Sequence, residues 1–289
     1  MVWNTGCAYE YDGSYAGFLC CVFDSYTRRE APVSITAESG MAQATLYALH
    51  TVQTDKAHAR RVRTALQCKS APADRLAYRA FLTCLPEREM ALYRFFRKVF
   101  DEGPAFLKNP TDPVLYPLWC AVRQLGSELE KLRGFIRFSE FDGLYAAQIE
   151  PKNRVLPALR THFCSRFADQ PFMIYDRTHK EALLSVDGHW AIRPLDSFEM
   201  ALPGQRETDF RRLWKTFFDT IAIRERANPA LQRTHVPLRY RSTMTEFQDM
   251  PEPTAPQETM EGPAPSVPAL HEGAQPEQRP FFQPGDLHL

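Results

Sequence analysis

Apolar and polar positions follow helix or strand periods along the first 248 residues, and the pattern then fails. The run at 7–11 reads as a short apolar strand, closed by the turn Asp12–Gly13–Ser14. Residues 17–28 place Phe18, Cys21, Val22 and Ser25 on one helical face, and 33–36 predicts a second strand. From 54 to 133 the period is helical. Helices are predicted at 56–66, 73–85, 87–102 and 113–132, separated by Pro and Gly, and in the third Leu92, Phe96 and Val99 turn toward the core. Strands 134–141 and 144–150 then flank Asp142–Gly143, a two-residue hairpin turn. That register sets Ile136 and Phe138 opposite Ile149 and Ala147, and Arg137 opposite Gln148. An amphipathic helix at 154–167 carries Leu156, Leu159, Phe163 and Phe167 in one stripe, with Pro157 in its first turn. Strands 172–176 and 182–186 enclose the basic loop 177–180, and 190–193 comes after Asp187–Gly188 as a third. A closing helix at 209–226 is predicted to bury Phe210, Leu213, Trp214, Phe217 and Ile221. The pattern predicts an α+β fold: a helical middle section, mostly antiparallel β-hairpins after it, and a C-terminal amphipathic helix.

Composition adds a boundary. Residues 249–289 are rich in Pro, Glu, Gln and Gly and poor in apolar side chains, too few to offset the conformational entropy of ordering. The expected organisation is an α+β body at 1–248 and a disordered acidic tail at 249–289. The tail's one aromatic cluster, Phe281–Phe282, is either a docking hook or part of a non-binding tail. With 20 Phe, 11 Tyr and 4 Trp, the chain has ample material for a core. No apolar run reaches the roughly 18 residues of a membrane span, and the N-terminus lacks the basic-then-apolar order of a signal peptide. The expected setting is therefore cytoplasmic, with no membrane partner. Seven cysteines at irregular spacing contain no CxxC pair, so neither a metal nor a cofactor is predicted.

Charge changes the picture further, because the formal net charge of zero conceals an uneven distribution. After Gln248 there are seven acidic residues and one Arg, which leaves the body at +6 against −6 for the tail. The segment 206–241 holds nine Lys or Arg against four Asp or Glu, including Arg212 and Lys215 on the polar face of the closing helix. Arg224, Arg226, Asn228, Gln232, Arg233, Arg239 and Tyr240 add guanidinium, amide and aromatic groups, the types that clamp phosphates, read base edges and stack on bases. The same charges also describe a solvated helix face. A second cluster joins His162, Arg166, Asp176, Arg177 and His179. His162 with Asp176 has the makings of a base and its orienting carboxylate, or of a structural ion-pair network. Asp12–Gly13–Ser14 lacks the glycines of a phosphate loop and reads as a turn. Glu128 and Glu130, two apart on a helix, point in different directions and form no carboxylate pair.

Four strings carry a resemblance: YDGSYAGFLCCVFDSY, GFIRFSEFDGLYAAQIEP, HFCSRFADQPFMIYDRTHK and LWKTFFDTIAIRERANPALQRTHVPLRY. In this order they resemble the hallmark blocks of an uncharacterised bacterial family of DNA-repair or DNA-metabolism proteins. The resemblance implies a radical-SAM DNA-repair partner and kinship with domains fused to uracil-DNA glycosylase-like domains. It carries no catalytic residues. The positions it marks as functional surface are Arg133, Arg137, His162, Arg166, Asp176, Arg177, Arg224, Arg226, Asn228, Gln232, Arg233 and Tyr240. The chain departs from the family pattern at Glu130, where a His is usual, and at Arg241, where an aromatic is usual.

Three functions are compatible with these residues, in this order: a DNA-binding accessory protein working with a radical-SAM enzyme; a hydrolytic DNA-processing enzyme, nuclease or glycosylase-like, using His162 and Asp176; and a protein-binding scaffold. Whether the chain is an enzyme at all is left open by the residues.

Overall fold

A computed structural model describes residues 3, 5–38, 47–141, 143–199, 204–221 and 228–247. The tail 249–289, Asp142, Arg224 and Arg226 lie outside them. Within the described residues the chain is α+β, as its periodicity predicts.

The N-terminal part is built on a parallel three-stranded sheet. β1 (Cys7–Tyr11) lies between β2 (Ser34–Ala37) and β3 (Ala48–Thr51), parallel to both. A parallel pair needs a crossover, and α1 (Tyr15–Arg28) supplies it between β1 and β2. The central position explains why β1 reads as a nearly continuous apolar run: it is buried along its length. β3 has no sequence signature, because Ala48–Thr51 is short and three of its four residues are exposed. The Asp12 turn is a structural joint. Asp12 accepts from the Ser14 N–H at 2.9 Å and the Thr54 hydroxyl at 2.8 Å, tying the start of α1 to the segment before α2 (Lys56–Lys69). A Cβ at Gly17 would stand 2.3 Å from the Asp12 carboxylate, so glycine is required there.

α2, α3 (Ala71–Phe81), α4 (Arg88–Asp101) and α5 (Leu115–Phe135) form the helical middle section. Leu92, Phe96 and Val99 of α4 are fully buried, as are Phe18, Cys21, Val22 and Ser25 of α1. α5 belongs to both apolar cores: Leu115 and Leu118 enter the first, Leu125, Leu129 and Leu132 the second. This stripe corrects the expectation of a strand from residue 134. The helix runs through Gly134 to Phe135, since a single interior glycine costs only about 1 kcal/mol against continued packing of the stripe. The next strand, β4 (Ser139–Phe141), keeps the hairpin register of Phe141 opposite Leu144 but is three residues long. Ile136 and Phe138 therefore pack into the second core from outside the ladder.

The second sheet has the order β4-β5-β6-β7-β8, with β5 (Leu144–Ile149), β6 (Phe172–Asp176), β7 (Glu181–Val186) and β8 (His189–Pro194). Three of its four ladders are antiparallel. The exception is β5 with β6, joined by α6 (Leu156–Arg166), whose Leu156, Leu159 and Phe163 cover the sheet. α7 (Gln205–Ile221), α8 (Pro229–His235), α9 (Leu238–Arg241) and a 3-10 turn at Thr245–Phe247 close the described chain. No helix among the described residues is long and apolar enough to cross a membrane.

α7 is where expectation and structure part. Phe210, Leu213, Trp214 and Phe217, predicted to be buried, are 54%, 65%, 39% and 51% exposed. The helix docks by its polar groups instead. Arg211 reaches the Ser139 hydroxyl at 2.5 Å, Trp214 the Glu246 carboxylate at 3.3 Å, and Lys215 the Glu246 carbonyl at 3.4 Å.

Candidate functional site

Helical spacing on three elements builds a cleft between α3, α5 and α6. Tyr78 and Arg79 come from α3; Leu125, Leu129, Glu130 and Arg133 from α5; Pro157, Ala158, Thr161 and His162 from α6. The cleft encloses about 570 Å³, within the ligand-pocket range. Leucine, proline and alanine side chains form its apolar wall, and Gly126 keeps the α5 side open next to the Arg79 guanidinium. Its charged groups are Arg79, Arg133, Glu130 and His162, with Arg166 one helical turn beyond His162. Glu130 is held by Arg133 at 2.7 Å, but the pair is solvent-exposed and therefore weak, free to yield Arg133 to an anion. Arg79 and Arg166 make no ion pair among the described residues. His162 is held below the ordinary histidine range, first by burial and then by Arg133 and Arg166, which outweigh Glu130. It is therefore neutral at pH 7 in a cationic setting, and an arriving anion would reverse that balance.

The predicted dyad of His162 with Asp176 is replaced by another pairing. Asp176, fully buried at the end of β6, points one oxygen at the His179 Nδ1 at 2.7 Å. Its other oxygen accepts from the backbone N–H groups of Thr178 and His179 at 2.9 and 3.1 Å. Both oxygens serve the turn that joins β6 to β7, while His162 faces the cleft. A buried carboxylate orienting a half-buried imidazole is the geometry of a general base and its support, and also that of a capped turn. The Thr178 contact follows a local rule, since a strand-terminal Asp commonly bonds the backbone two residues on.

Several of the predicted basic contacts are engaged within the chain. Arg137 grips Glu246 through two bonds, at 2.7 and 3.2 Å, and lies over the Trp214 ring. Arg239 reaches Glu128 at 3.1 Å and contacts the Tyr240 hydroxyl, while Tyr240 is buried against Phe135. Asn228 caps α8 by accepting from the Leu231 N–H, and Gln232 accepts from Arg241. Lys215 donates to the Glu246 backbone, and Arg212 lies 3.7 Å from Asp209. Arg177 makes an exposed pair with Glu150, and Arg233 is on an exposed turn of α8. Of the predicted contacts, Arg133 and His162 line one cleft, and Arg166 acts on His162 electrostatically. Arg79 joins them without having been singled out, because only tertiary packing brings α3 there.

Glu246, which had no sequence signal, organises the C-terminal contacts. Burial pushes its carboxyl up, but the Arg137 hydrogen bonds, a backbone N–H and the Trp214 indole together hold it below the ordinary range. A depressed carboxylate contributes stability above its unfolded pKa, near 4.3, and loses it as pH falls through the folded value. Acidification below the ordinary carboxylate range is therefore expected to release the 3-10 turn from α7. The Trp214 indole N–H resonance should report the release, and Glu246→Gln should abolish the titration at a cost of about 1.5–3 kcal/mol. An indole resonance indifferent to pH across that range would refute this role.

Residues 86–246, from the approach to α4 through the 3-10 turn, match a family described as a domain of unknown function, DUF4130. Neither a curated protein nor a solved structure matches the chain.

Proposed function

The chain belongs to the DUF4130 family of domains of unknown function, and we propose that it is a DNA-binding accessory protein working with a radical-SAM enzyme. The observation that carries the DNA half is the cleft. Arg79, Arg133 and a neutral histidine meet over an apolar wall, with one weakly held carboxylate among them and Arg166 near enough to act on the histidine. Phosphate oxygens are recognised by guanidinium groups, and an apolar wall beside them accepts a sugar or base face. The partner half is supported by the sequence resemblance alone. A second reading, a hydrolase using His179 oriented by Asp176, is supported by their 2.7 Å contact.

The test is a titration of the full chain with single- and double-stranded DNA at several salt concentrations. Micromolar or tighter binding that weakens steeply with salt is expected. The variant R79A/R133A/R166A should weaken it uniformly across probe sequences and reduce the salt slope by about 3, one for each phosphate contact. Because an anion in the cleft favours protonated His162, affinity should also rise as pH falls below histidine's ordinary range, and His162→Gln should remove that dependence. Absence of binding at every salt, or a triple variant indistinguishable from the parent, overturns the reading. DNA cleavage abolished by His179→Ala would instead establish the hydrolase.

A further inference from the structure

Among the described residues, nothing covers the outward face of α7. Phe210, Leu213 and Phe217 recur at helical spacing and are each more than half exposed. Among the described residues, half of the twelve large exposed hydrophobic side chains fall between Phe210 and Leu238. A contiguous apolar patch of this kind marks an interaction surface. A basic group borders it: Arg206 lies over the Phe210 ring at 5.9 Å. The wider segment 206–241 carries nine basic residues against four acidic ones.

The position of Phe247 suggests what covers this face. The turn Thr245–Phe247 is held to α7 through Glu246, so the chain beyond Phe247 starts beside the helix. Residues 249–289 bear seven acidic side chains and one Arg, and their only aromatic residues are Phe281 and Phe282, with Glu277 and Asp286 close by. A random-coil chain as long as 248–281 has a root-mean-square reach of about 30 Å. The stripe from Phe210 to Phe217 is only about 10 Å long. Such a tether holds the phenylalanines at an effective concentration of about a millimolar, so a weak site is enough to capture them.

We propose that the chain's own acidic tail docks on α7, with Phe281 and Phe282 against the Phe210–Leu213–Phe217 stripe and the neighbouring acids facing Arg206. This inference is independent of the DNA-binding reading. It assigns the exposed stripe an intramolecular occupant rather than a second copy or another protein.

A photoreactive benzoylphenylalanine in place of Leu213, in the full chain, tests it. Irradiation should join α7 to the segment 272–289 within one molecule, with a yield that does not change on dilution. F281A/F282A should lower that yield by more than about tenfold, the least that loss of one buried Phe ring does to an equilibrium constant. R206E should lower it as well while leaving the stripe intact. An unchanged melting temperature in both variants confirms that the body remains folded. Cross-links only to other segments, a covalent dimer that grows with concentration, or a yield indifferent to F281A/F282A would each overturn the proposal.

Discussion

Glu128→Ala is expected to destabilise the protein by about 3–5 kcal/mol, the cost of removing one partner from a buried charged network. Glu128 lies in α5 with its side chain 2% exposed. One carboxylate oxygen accepts from the Lys152 N–H and from Arg239, at 3.1 Å each. The other accepts from the Asn153 N–H at 3.0 Å and its side-chain amide at 2.6 Å. Asn153 in turn accepts from the Cys84 N–H at 2.9 Å. One carboxylate thus joins α5 to the loop before α6, to the segment after α3 and to α9. Alanine leaves the Asn153 donors buried without an acceptor and frees a guanidinium. At about 2–4 °C per kcal/mol for a domain of this size, the melting temperature should fall by about 10 °C. Glu128→Gln keeps one acceptor and should fall between. Urea and thermal denaturation of the full chain measure both, and a loss under about 1 kcal/mol would show that the network is dispensable. Glu130, two residues along, is 72% exposed on the opposite side, and its alanine variant should be nearly silent.

The second large effect is a contrast between two phenylalanines on amphipathic helices. Phe18 of α1 is wholly buried, its ring 5.8–6.4 Å from those of Tyr11, Phe81 and Phe96. Phe18→Ala removes it from the centre of the first core and should cost about 3–5 kcal/mol. Phe217 of α7 lies on the exposed stripe, and Phe217→Ala should change the stability of the body by less than about 0.5 kcal/mol. Equal losses from the two substitutions would mean that α7 is buried in solution, and the contrast between the helices would fall with it.

That contrast marks how much of the molecule was legible beforehand. Period 3.6 in the stretches holding Phe18, Leu92 and Leu159 reflects one apolar face, and the short apolar runs around Ile174 and Leu183 reflect strands buried on both faces. They were enough to locate the helices and the strand β6 (Phe172–Asp176). The same periodicity in α7 identified the helix but not its orientation, because a hydrophobic stripe says that something apolar should cover it and not what does. The basic residues of segment 206–241 were legible only as charge. Arg137 and Arg239 face Glu246 and Glu128, more than a hundred residues away in the chain, and no local pattern announces such partners.

For the candidate site the division is similar. His162 and Arg166 share a face of α6 by spacing alone. The convergence of His162 with Arg133 and Arg79 required α3, α5 and α6 to pack around the second core. By itself, then, the amino-acid sequence determined the α+β class, most helices, the hairpin register and the asymmetry of charge between body and tail, because each depends on residues near one another in the chain. Tertiary structure alone decided the parallel neighbours of β1, the pairing of Asp176 with His179, the burial of Tyr240 and the exposure of α7. Each of those depends on which of several chemically equivalent partners is brought within contact distance, and only the packed core makes that choice.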